Sequence, residues 1–230
     1  MTLEVCVDSF EGAQLAERFG ANRIELCSGL SVGGLTPSAG LTAKCAEIIE
    51  LHGMLRNREG DFVYSAQSVK IMLDDIDCFA KSGATGIVFG CLTENNRIDM
   101  EANTTLINEA KLFGLETTFH RAFDLCEHPK ESLESIIELG FDRLLTSGGR
   151  PKAINGIDLI KKLVSWADGR IQIMAGGGVN ASNAPQLMET DIDALHFTSH
   201  TLATWKDELG MGIKTIPSEE KIASITKLFE

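Results

Sequence analysis

Eight short β-rich runs, each followed by an amphipathic helical stretch, recur along nearly the whole 230-residue chain. Alternation of this kind forces the strands to run parallel, because each helix carries the chain back to the edge where the next strand begins. The strand candidates are residues 3–8, 24–27, 54–57, 87–90, 116–120, 143–147, 171–175 and 194–198. Ser9 caps the first intervening helix and Gly20 stops it, while Thr36-Pro37 opens the second. Val69, Met72, Leu73, Ile76, Phe79 and Ala80 form one buried stripe on the third, which Gly83 closes. Further helices are expected over about 99–113, from Pro129, through Ile157, Ile160 and Leu163, after Asn180, and around 221–229. The pattern predicts an α/β fold, a single TIM-type (βα)8 barrel over residues 1–230, with an irregular segment about 199–218 before the last helix. An open doubly wound sheet would need a glycine fingerprint after the first strand, and Asp8-Ser9-Phe10-Glu11-Gly12 is not one.

Composition narrows the function classes. With 43% apolar and 23% charged residues the chain is neither disordered nor collagen-like. A net charge of −12, with no Lys/Arg run, disfavours nucleic acid as a partner. No apolar run reaches the roughly 18 residues of a membrane span. The start, MTLEVCVDSF, lacks the features of a secretory signal, so the six cysteines are expected to be reduced thiols in the cytoplasm.

Side chains alternate along a strand, and the outer face of a barrel packs on helices. Leu3, Val5 and Val7 therefore face outward, which turns Glu4, Cys6 and Asp8 toward the axis. The same alternation sends Glu25, Cys27, Met54, Arg56, Thr118, His120, Gln172, Met174, His196 and Thr198 inward. Barrel interiors are usually filled by branched apolar residues. This one is polar, and burial demands that its charges be paired. Arg56 is the expected partner of Glu4 or Glu25. One reading is an ion-pair layer that fixes register. The other is a site, because functional groups of this fold gather at the carboxyl ends of the strands.

The strings ELCSGLSVGGLTPS, GDFVYS, IVFGCLTE, TFHRAFD, LGFDRLLTSGG and IMAGGGV, in this order, resemble the CutC family over about residues 2–200. The resemblance implies a TIM-type barrel, assembly as homo-oligomers (dimers or higher), and a cytoplasmic role in copper homeostasis with binding of Cu(I). The chain departs from the family at Arg56-Asn57-Arg58-Glu59, where Arg-Pro-Arg-Gly is usual. It also lacks the thiol that some members carry after the last strand, reading His196-Phe197-Thr198-Ser199.

Three constellations carry the candidate chemistry. The first is Cys6 with Cys27, on neighbouring strands about 4.8 Å apart, because soft thiolates select Cu(I). Met54 or Met174 would add a thioether. Cys45 and Cys78 read as helix-face residues, and Cys91 and Cys126 are secondary candidates near the mouth. Zinc motifs are absent. The second is an anion site: Gly176, Gly177 and Gly178 before an Asn180-capped helix, with Thr198 opposite and Ser147 extending the rim. Arg56, Arg58 and Asp61 would bind the rest of such a ligand. The third is acid–base, with Glu25, His120, Arg121, Asp124 and His196 as catalytic candidates. No Gly-x-Ser-x-Gly elbow and no inner-strand lysine occur, which disfavours serine hydrolases and Schiff-base aldolases. No nucleotide cofactor is implied. Two functions follow: a Cu(I)-binding homeostasis protein using Cys6 and Cys27, or a metal-free lyase, isomerase or hydrolase acting on a small phosphorylated or carboxylated metabolite. A non-catalytic scaffold is the third alternative.

Overall fold

The computed structural model describes residues 1–203 and 214–229. Its strands are β1 (Thr2–Val7), β2 (Arg23–Leu26), β3 (Glu50–Met54), β4 (Gly86–Phe89), β5 (Glu116–Phe119), β6 (Arg143–Thr146), β7 (Gln172–Gly176) and β8 (Ala194–Thr198). They pair in sequence order, all parallel, and β8 returns to β1 to close a barrel. The helices between them are α1 (Phe10–Arg18), α2 (Ala39–Ala46), α3 (Ala66–Lys81), α4 (Met100–Leu112), α5 (Pro129–Leu139), α6 (Ile157–Ala167) and α7 (Ala184–Met188). The α/β barrel class read from the alternation is the observed one.

Local chemistry sets the boundaries. Ser9 accepts a hydrogen bond from Gly12 N–H and starts α1, and Asp99 does the same for Ala102 at α4. The α3 stripe buries Met72, Ile76 and Phe79. On the outer strand face Leu3, Val5, Val7, Ile24, Leu26, Leu51 and Ile87 are almost wholly buried in one cluster with those helix residues. Each such side chain contributes roughly 1.5–3 kcal/mol of transfer free energy.

Three boundaries differ from the sequence reading. The third strand ends at Met54 rather than beginning there, because Gly53 interrupts the apolar pattern but fits its backbone tightly against Phe79. α2 is capped by Ser38, not Thr36, whose hydroxyl instead accepts from Arg56 N–H. Asn180 caps no helix. Its side chain accepts from Ser182, and α7 starts only at Ala184, next to Pro185.

The stretch read as irregular, 199–218, contains two short antiparallel strands, β9 (His200–Leu202) and β10 (Thr215–Pro217). Its middle, 204–213, lies outside the described residues. The last helix, α8 (Glu219–Thr226), is capped by Ser218 and buries Ile222 and Ile225.

Candidate functional site at the barrel mouth

The barrel interior is built in levels. At the floor, Glu4 is fully buried; its carboxylate accepts from Arg23 and lies 2.7 Å from His196 Nδ1. Arg143 is held by Thr118 Oγ1 at 3.0 Å, Gln172 Oε1 at 2.9 Å and Glu116 at 3.1 Å. His52, also fully buried, stands 3.7 Å from both Glu50 and Glu116. These pairings correct the expectation that Arg56 neutralises Glu4 or Glu25. Arg23 performs that task, one residue before the second strand as read. Arg23, His52 and Arg143 were the groups sequence reasoning missed. Arg23 and His52 keep the inward parity of residues already assigned, two positions from Glu25 and Met54, and Arg143 opens a strand, β6, whose faces the sequence reading left unassigned.

Above the floor, Cys6 Sγ and Cys27 Sγ approach to 3.9 Å, and Cys27 lies 3.4 Å from Glu25 Oε2. Met54 and Val88 complete this buried cluster. Cys6, Glu25 and His196 each present one ligand atom, and these atoms lie within 4.8 Å of one another. The hydrogen bond from the Cys27 thiol, with the His196 cation, brings Cys6 down to about 5 against the effect of burial. The same contact, together with burial, pushes Cys27 well up. Burial raises Glu25 too, reinforced by the Cys6 charge. Burial alone would lower His196; Glu25, Cys6 and Glu4 overcome it and hold the ring protonated well above the usual range. The level therefore couples four titrating groups, with Cys6 and His196 shifted toward their charged forms and Cys27 and Glu25 toward their neutral ones.

The mouth encloses a cavity of about 520 Å³. Cys6, Glu25, Cys27, Arg56, His120, Arg121, Asp124, Gly177, Gly178, His196 and Thr198 all line it. So candidates from all three constellations meet in one space. Asp124 is the hub of the rim. It accepts from Arg121 Nε at 2.9 Å, Thr146 Oγ1 at 2.6 Å, Ser147 N–H and Oγ, and Gly149 N–H. Gly177 has φ +101°, and a Cβ there would lie 3.3 Å from the Arg121 guanidinium, so glycine lets that side chain lie flat on the loop. Burial lowers His120 to about 3, with Arg56 adding to the effect, so the ring is neutral.

Other candidates serve elsewhere. Arg58 donates to Asp61 Oδ1 at 2.6 Å and to Val63 O, tying their own loop, and neither lines the cavity. Ser147 is wholly buried and bonded to Asp124 and Arg150 O. Gly176 packs against Leu145 and His196. The glycine triplet has no helix behind it, because α7 begins downstream and is a single short turn. Thr198 joins a relay absent from the sequence reading: its Oγ1 meets His200 Nδ1 at 2.8 Å, and His200 Nε2 meets Asp8 at 2.7 Å. His200 was hidden in the segment read as irregular.

Comparison with known proteins places this architecture. Residues 1–201 match the model of the CutC family. The family protein CutC of Pasteurella multocida is 49% identical over 201 residues, which cover 86% of this chain and 82% of that protein. Its counterpart in Bacteroides fragilis is 48% identical over 200 residues, 85% of this chain and 79% of that one. The crystal structure of CutC from Streptococcus agalactiae superposes with a TM-score of 0.81 at 35% identity, covering 86% of this chain and 98% of that chain. The chain belongs to the CutC family.

Proposed function

We propose that this protein takes part in copper homeostasis and binds Cu(I) through Cys6 and Cys27. The observation that carries the reading is the 3.9 Å approach of two buried sulfurs at the base of an open cavity. Soft sulfur donors favour Cu(I) over harder divalent ions. The donor set fits the ion: Cys6 is shifted toward its thiolate form, and Cys27 releases its proton on binding. Met54 belongs to the same buried cluster and offers a thioether. The His196 imidazolium balances the charge that accumulates. The Streptococcus agalactiae relative is described as a candidate copper homeostasis protein, which supports the same role. All six cysteines are free, which suits the reducing cytoplasm where this reading puts the protein. The family resemblance supports a homo-oligomer, and sedimentation velocity reads its mass directly.

The experiment is an anaerobic titration in competition with a chromophoric Cu(I) chelator. Wild type is run beside Cys6→Ser/Cys27→Ser, with circular dichroism to verify that both are folded. The reading requires near-stoichiometric binding in wild type that disappears in the double variant. Equal binding by both, or weak binding by wild type, refutes it.

A further inference from the structure

We propose that the mouth above the thiol pair is a built site for a small organic carboxylate, gripped by Arg56, His120 and Arg121. Arg56 is only 4% exposed, yet among the described residues its side chain bonds to backbone carbonyls and to no carboxylate. Its Nη1 donates to Val32 O at 2.9 Å and Gly34 O at 3.0 Å, and its Nη2 to Gly60 O at 2.9 Å. Those carbonyls fix the guanidinium rigidly, and the Phe62 ring lies 5.1 Å from its central carbon, but no anion among the described residues neutralises it, and its Nε–H is buried without a partner. A buried cation of this kind is costly unless an anion arrives.

His120 supplies a second orphan. It is 5% exposed, its Nδ1 accepts from Ala122 N–H at 3.4 Å, and its Nε2 is buried with no partner. With Nδ1 accepting, Nε2 carries the proton and is an unused donor. Both orphans belong to side chains that line the same cavity. Arg121 lines it too, with its own charge matched by Asp124. The rim therefore has one surplus positive charge, which suits a monoanion better than a phosphate dianion. Leu30, Val32, Met54, Phe62, Leu125 and Leu145 supply the remaining wall. The ligand class is thus a carboxylate on a compact apolar body, and the cavity volume lies in the range of small-molecule sites.

The probes are benzoate and its neutral isostere benzamide, with phenyl phosphate as the dianionic arm, titrated calorimetrically. The titration is run on wild type and on Cys6→Ser/Cys27→Ser, so failure of the copper reading and failure of this site give separate results. Benzoate is expected to bind both proteins, and benzamide about tenfold more weakly or worse, since a hydrogen bond to a charged group is at stake. His120→Phe keeps the ring and loses the donor, and weakens benzoate to a similar degree. His120→Gln restores an N–H and most of the affinity. Arg121→Met, at a half-exposed side chain, leaves Asp124 facing the cavity and abolishes binding. Benzamide binding as tightly as benzoate, phenyl phosphate binding in preference to it, no benzoate binding at all, or indifference to folded His120→Phe and Arg121→Met would each overturn the proposal.

Discussion

The Cβ that Gly86 lacks would stand 2.6 Å from His52 Nε2. Gly90 stands in the same relation to His120, at 2.8 Å from Nδ1, and Gly176 lies against the His196 ring. Each inward histidine thus occupies space that a neighbouring glycine leaves open. In Gly86→Ala the ring has nowhere to go, because His52 is fully buried. Overpacking of this kind costs about 1–3 kcal/mol. Urea unfolding should show that loss, and Gly86→Ala/His52→Ala should recover much of it. Strictly additive costs in that cycle would mean the two residues do not compete for space.

His52 also gives the fold an acid sensitivity. Burial lowers its pKa to about 3, with Arg23 and Arg143 adding to the effect and Glu4 opposing it. The folded state therefore keeps the ring neutral where the unfolded chain, with an ordinary value near 6.5, binds a proton. Stability is complete above pH 6.5 and falls as pH drops toward 3, by about 1.4 kcal/mol per pH unit for this group. Glu4, held below its usual range by His196 and Arg23 despite burial, adds its own loss only below about 4.5. His52→Gln should have a flatter urea-midpoint profile than wild type between pH 6 and 4.5. Parallel profiles would show that His52 is protonated in the folded protein.

The barrel was legible because outward aliphatics and inward polar residues alternate without exception along β1 and β2. Glu25, His120 and His196 were legible for the same reason. The partners were not. Alternation extends the third strand through Arg56 and pairs it with Glu4 or Glu25, yet β3 ends at Met54 and the loops after β2 and β3 fold over Arg56 with carbonyls. Arg23 carries the ion pair because register sets it directly beside Glu4, and register is invisible in a single strand's pattern. His52 escaped because Gly53 breaks the strand signal. The role of Asp124 is a matter of loop geometry, since four of its donors come from Thr146, Ser147 and Gly149.

Asp124 should therefore matter more than an ordinary loop carboxylate. Asp124→Ala removes both carboxylate oxygens, so Arg121 loses its counter-charge and the N–H groups of Ser147 and Gly149 lose their acceptor. Leaving such donors unsatisfied costs about 1–3 kcal/mol. Thermal unfolding should register that cost, and amide hydrogen exchange should rise at Ser147 and Gly149 before it rises in β6. Unchanged exchange at those two amides would show that the loop holds its shape without the carboxylate.

The thiol pair is asymmetric, and this separates the roles of its members. Cys6 is the sulfur drawn toward the anion, and the largest single influence lowering it is the Cys27 hydrogen bond. Wild type should therefore develop one buried thiolate, seen by its ultraviolet absorbance, with a midpoint near pH 5. Cys6→Ser should abolish that transition. Cys27→Ala should keep it but shift the midpoint upward, because the donor is gone while His196 remains. His196→Gln should shift it upward as well, since the imidazolium is the next group that favours the anion. A thiolate that survives in Cys6→Ser and vanishes in Cys27→Ser would reverse the assignment. Cu(I) would then meet its deprotonated sulfur on β2 rather than β1, one strand farther from the His196 charge that balances it.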